Sequence, residues 1–192
     1  MKIKGYRARY FEDYIKKTVV GKNGREKIQY VYAGVWYRWG LEGFDAMRQK
    51  RLYLLIEAAS IAVYLAAALQ DVAVNRIRLA SGLGLLALLL WLFELRGVYG
   101  FLRSKTYVTR MDYMEIDTQI RLGGYFRAAL LASSALYGTV ACLRGGGMDL
   151  RSWAAEGCYL ASLTCSAVIA RIHGRLHYRT YKNKSGEVGE EF

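Results

Sequence analysis

The chain has 192 residues, of which 54% are hydrophobic and 23% charged, with no proline and a formal net charge of +12. Its mean hydropathy is near zero, but the apolar residues are gathered in long blocks separated by short basic ones, an arrangement that fits a bilayer and excludes an ordinary soluble domain. In a soluble protein, 28 Lys and Arg against 16 Asp and Glu would point to nucleic acid. Beside apolar blocks the same charges read as contacts to anionic headgroups and as topology signals, so the partner expected is the lipid bilayer and no nucleic acid is expected.

Residues 1–40 read as a polar, aromatic and basic head, and no cleavable signal peptide is expected. Asn23-Gly24 lies between segments rich in β-branched and aromatic residues, which predicts a hairpin of strands from roughly Tyr14 to Val20 and Lys27 to Val35. Two strands alone are marginal in water, so this ribbon is expected to pack on the bundle, the membrane surface or a partner. The stretch Leu41 to Arg51 predicts a short amphipathic helix ending in a basic collar of Arg48, Lys50 and Arg51. The first span follows at about Leu52 to Leu69, and a short turn leads to the second, from about Ile77 into the Gly97 region.

Thr109 stands three residues before Asp112, which resembles a capping box opening a second amphipathic helix. The third span is expected at about Gly124 to Leu143 and the fourth at about Trp153 to Ala170, joined by RGGGMDLRS. The fold class is therefore an all-α membrane protein, a four-transmembrane-helix bundle with a small N-terminal cytoplasmic β-hairpin. Four segments follow: a head over 1–40, an amphipathic helix and first transmembrane hairpin over 41–102, a linker, second amphipathic helix and second hairpin over 103–172, and a cytoplasmic tail over 173–192.

Orientation is read from basic residues near the span ends. Arg38, Arg48, Lys50 and Arg51 precede the first span; Arg103, Lys105, Arg110 and Arg121 occupy the middle; Arg175, Arg179, Lys182 and Lys184 follow the last. The two short turns hold only Arg76 and Arg78, then Arg144 and Arg151. Both termini and the central loop are thus expected on the cytoplasmic side of the cell (inner) membrane. The halves also share a layout: the aromatic segments YVYAGVWYRW and TYVTRMDY lead in, and the strings LRGVYGFLRSKTYVTR and ARIHGRLHYRTYKNKSG lead out. Two repeated helical hairpins would give this pattern. GRLHYRTYK is expected to be an interfacial anchor.

In its lead-in YVYAGVWYRW and in VTRMDYMEIDTQIRLG before the third span, the chain resembles small, uncharacterised four-span bacterial integral membrane proteins. The resemblance implies the topology and brings no activity with it.

An ionisable group inside a span costs a few kcal/mol at least and calls for a partner or a function. Glu57, Glu94, Arg127, Arg171 and His173 fall at one depth near the cytoplasmic edge, which predicts a single polar cluster of interhelical ion pairs or, alternatively, a proton or cation site centred on Glu57. Glu156, near the opposite end of the fourth span, is expected to snorkel to the interface. Gly157, Ala161 and Cys165 step along one face of that span, with Ser162, Ser166 and Ala170 on the next, and both faces read as packing surfaces or, alternatively, as a polar path lined by serine and cysteine. Cys142, Cys158 and Cys165 form no CxxC pair, and no metal or cofactor is expected.

No phosphate loop, HExxH or GxSxG motif is present. The function expected is a non-enzymatic integral membrane subunit, scaffold or regulator that binds a partner through its cytoplasmic head and inner-edge charges, as a homo-oligomer or with a protein partner. The alternative is a small oligomeric ion-coupled transporter or channel using Glu57 and Glu94.

Overall fold

Without proline, nothing in the apolar blocks forces a helix to break, and the helices run longer than the sequence blocks suggest. The computed structural model describes residues 13–20, 26–40, 43–176 and 178–182. They form two units, one of strands and one of long helices.

The helical unit is built from α1 (Gly43–Ala68), the single turn α2 (Ala73–Arg76), α3 (Arg78–Arg103), α4 (Arg110–Arg144) and α5 (Leu150–Gly174). Four of these are long and apolar enough to cross a membrane; at 1.5 Å per residue, even the shortest reaches about 38 Å against a hydrocarbon core of about 30 Å. The two expected amphipathic helices are not separate elements. Each continues without interruption into its span, so α4 alone has 35 residues. Thr109 does cap it, accepting the Asp112 backbone N–H at 3.2 Å and donating to Asp112 Oδ2 at 2.8 Å. Asp149 caps α5 in the same way, with its Oδ1 3.0 Å from the Ser152 N–H.

Inside this unit, α3 and α4 approach closely because glycine lies at the crossing. A Cβ on Gly97 would come 2.7 Å from Gln119 Cβ and 3.0 Å from the Ile120 backbone nitrogen. Tyr64, Ala67, Val72, Ala87, Leu131, Ala155 and Tyr159 make an apolar layer with all four long helices represented. The phenol of Tyr64 donates to the Gly84 carbonyl at 2.8 Å, and that of Tyr159 to Asn75 Oδ1 at 2.7 Å. The Ser162, Ser166 and Ala170 face is buried as expected. The Gly157 and Ala161 positions are exposed instead, and a Cβ on Gly157 would meet nothing within 4 Å.

The strand unit begins with the antiparallel ribbon β1 (Tyr14–Val20) and β2 (Glu26–Tyr32), in the register Tyr14 to Tyr32 through Val20 to Glu26. The expected Asn23-Gly24 turn lies outside the described residues, as do His177 and the tail beyond Lys182. The second expected strand stops at Tyr32, and Val35–Trp39 forms a separate strand, β3. It is the middle of an antiparallel sheet with β4 (Tyr107–Thr109) and β5 (Tyr178–Lys182) on either side. The segment expected as an interfacial anchor thus supplies an edge strand, and the two similar exit strings each supply one partner of β3. Aromatic packing holds the sheet: Tyr37 stacks on Tyr113 at 4.5 Å between ring centroids, and Tyr178 leans on Tyr113 at 4.8 Å.

Filling the α3–α4 crossing tests this packing. Gly97→Ala should lower stability by about 1–3 kcal/mol through overpacking, measured by thermal or denaturant unfolding in detergent, whereas Gly157→Ala should not; equal effects would contradict the close approach.

Candidate functional site

The inward face of α1 is polar for about three turns, with Tyr53, Glu57, Ser60 and Tyr64 spaced three or four residues apart and all buried. From α3 come Trp91 and Glu94, from α4 Arg127, and from α5 Ser162 and Ser166, one turn apart. Glu57, Ser60, Trp91, Glu94, Arg127, Ser162 and Ser166 meet in one cluster, whereas Tyr53 and Tyr64 point to its two flanks. The glutamates and Arg127 are only 0–1% exposed.

Arg127 organises the cluster. Its Nη1 donates to Ser166 Oγ at 2.7 Å and to Glu94 Oε2 at 3.2 Å, while Nη2 donates to Ser162 Oγ at 2.9 Å. The Ser166 hydroxyl in turn donates a hydrogen bond to Glu94 Oε2 at 3.1 Å. Glu57 is held less directly: its Oε2 accepts the Trp91 indole N–H at 3.0 Å and lies 3.9 Å from Arg127 Nη1. Ser60 completes the set, with its hydroxyl 3.1 Å from Ser162 Oγ. Gly124 makes the meeting sterically feasible, since a Cβ there would come 3.0 Å from Glu94 Oε1 and 3.1 Å from the Ser166 carbonyl.

Among the described residues, Glu57 Oε1, Glu94 Oε1 and Arg127 Nε have no hydrogen-bond partner. Two carboxylates therefore face one guanidinium. With both ionised, the cluster holds one negative charge in excess, the stoichiometry that a proton or a monovalent cation would balance. Mechanically, the hydrogen bonds of Arg127 join α3, α4 and α5 through one side chain, and the 3.9 Å ion pair to Glu57 adds α1.

Of the five residues expected to gather at this depth, the structure brings three together: Glu57, Glu94 and Arg127. Arg171 is exposed, because it follows Ser162 by nine residues and so points about 180° away around α5. His173 is buried and shares the face of Ser166, but two turns further along. There its Nδ1 lies 3.5 Å from the Tyr53 hydroxyl and its Nε2 3.7 Å from Asp117 Oδ1. Sequence reasoning missed Ser60 and Trp91 entirely, and took Ser162 and Ser166 first for small packing residues, with a polar path as the alternative. The available signal was the i, i+4 pair of hydroxyls at the depth of an intramembrane arginine.

Glu156 corrects another expectation. It does not snorkel outward but is 3% exposed, since it shares the buried face of Ser152 and Tyr159. Its carboxylate sits over Gly138, where a Cβ would come 3.0 Å from Oε1. The three cysteines are free, and no group of three or more metal-ligating side chains occurs among the described residues.

Comparison with protein-family profiles, curated proteins and solved structures finds no match to this chain. What stands of the resemblance to four-span membrane proteins is the four long apolar helices themselves.

Removing one member of a buried ion pair strands the others. Arg127→Met should cost about 3–5 kcal/mol, seen as loss of monodisperse protein in gel filtration and a lowered melting point. Adding Glu57→Gln and Glu94→Gln to it should recover most of that loss; no recovery would contradict an electrostatic origin.

Proposed function

We propose that this chain is a non-enzymatic integral membrane subunit, scaffold or regulator that binds a partner protein through its N-terminal ribbon. It resides in the cell membrane with both termini in the cytoplasm. Four helices long and apolar enough to span support the membrane residence, and the three groups of four basic residues support the orientation. The sequence holds no catalytic motif of the kinds named above.

The ribbon carries the reading. Val20, Ile28 and Tyr30 are 66%, 62% and 52% exposed, and the register places all three on one face. Among the described residues β1 and β2 pair only with each other, so each also offers an open edge. The same face carries Lys16, Thr18 and Glu26, with the Lys16 ammonium over the Tyr30 ring; a two-stranded ribbon is marginal alone, and strand addition by a partner would satisfy its open edge.

A second reading has one observation in its favour, the excess carboxylate beside Arg127. It makes the chain a small oligomeric ion-coupled transporter or channel that titrates Glu57 or Glu94. The hydroxyl and carboxylate partners that hold both terminal nitrogens of the guanidinium favour the scaffold.

Affinity purification of the full chain in mild detergent should recover a second protein, or further copies of this chain, in fixed ratio. Val20→Lys with Ile28→Lys should remove that component without changing the melting point of the remaining protein. A monodisperse monomer from wild-type membranes would overturn the proposal, and proton- or cation-coupled uptake into proteoliposomes that vanishes in Glu57→Gln would select the second reading.

A further inference from the structure

We propose that an apolar groove between α1 and α3 is a binding site for an anionic phospholipid; the proposal rests on the reading of the helices as membrane-spanning. The groove is about 380 Å³ in volume and is lined by Leu54 of α1 and by Leu92, Leu95, Arg96, Tyr99 and Leu102 of α3. The α3 positions recur every three or four residues and so form one continuous stripe. From Leu92 to Leu102 the stripe rises about 15 Å, which is the hydrocarbon depth of one leaflet. Its leucines are the solvent for an acyl chain.

The occupant is identified by the charge at the far end of the stripe. Lys50 donates its ammonium to the carbonyls of Leu102 and Ser104, at 3.1 Å and 2.6 Å. The Arg103 guanidinium lies 5.3 Å from the centre of the Tyr99 ring. Arg96 stands between Leu95 and Tyr99 and is bonded to Glu115 at 2.7 Å. Lys50 and Arg103 thus put two cations at that end, while Arg96, about 9 Å back along the stripe, is answered by Glu115. The C-terminus of α3 adds the equivalent of about half a negative charge, and a positive excess remains. A phosphodiester at that end of the groove, with its chain lying along the leucines, meets both halves of the surface. A zwitterionic headgroup brings no net charge to answer the cations.

The test uses the full chain, purified in detergent, stripped of lipid, and titrated with phosphatidylglycerol or phosphatidylcholine while bound lipid is counted by native mass spectrometry. Wild-type protein should prefer phosphatidylglycerol, and Arg103→Gln should weaken that lipid alone by about fivefold, with a similar further loss in Arg96→Gln/Arg103→Gln. Leu95→Trp, which fills the groove, should lower occupancy by both lipids. The proposal is overturned by equal binding of the two lipids, by a preference unchanged in Arg103→Gln, or by glycerol phosphate competing as well as the intact lipid. Failure of the membrane reading would look different: the chain would stay monodisperse in buffer without detergent.

Discussion

One guanidinium, that of Arg127, draws partners from all four long helices into a single buried cluster. In a bilayer the hydrophobic effect does not drive one apolar helix against another, because lipid tails are as apolar as leucine; close packing and interhelical hydrogen bonds decide assembly. Each long helix contributes to the cluster around Arg127: Glu57 and Ser60, Trp91 and Glu94, Arg127 itself, then Ser162 and Ser166. An arginine left without them in hydrocarbon would be costly. The arrangement of the helical unit is therefore tied to satisfying that one side chain.

The packing details follow from this constraint. A planar guanidinium reaches carboxylate and hydroxyl partners on three neighbouring helices only if the backbones come close, and Gly124 and Gly97 stand where a methyl group would collide. The layer of Tyr64, Leu131, Ala155 and Tyr159 closes the space beyond the cluster with apolar contacts. Its two phenols are themselves satisfied by Gly84 and Asn75, so the layer adds no unpaired donor. His173, Tyr53 and Phe101 make a separate contact group, and Glu156 stands apart over Gly138.

Much of this was legible in the sequence for a physical reason. Bilayer thickness dictates the length of the apolar blocks, and ionisable residues inside them stand out against their surroundings, as Glu57, Glu94 and Arg127 did. Depth along the axis is readable in this way, but angle around the axis is not, and that is why Arg171 and Glu156 were misplaced while lying at sensible depths. Helix continuity was underestimated because polar sequence before a span looks like a separate element when no breaker is demanded. The sheet was legible only where pairing is local. Tyr14–Val20 against Glu26–Tyr32 follows from a short turn, whereas β5 pairs residue 182 with residue 35, a partnership no local pattern announces.

The central claim is that Arg127 acts as an interhelical clamp, and a double-mutant cycle between Arg127→Met and Glu94→Gln tests it most directly, with unfolding free energies measured in bicelles. Interhelical hydrogen bonds in membranes couple by about 0.6 kcal/mol on average. A coupling above about 2 kcal/mol is the result expected of a buried charge-assisted contact, whereas additivity within about 0.5 kcal/mol would contradict the clamp.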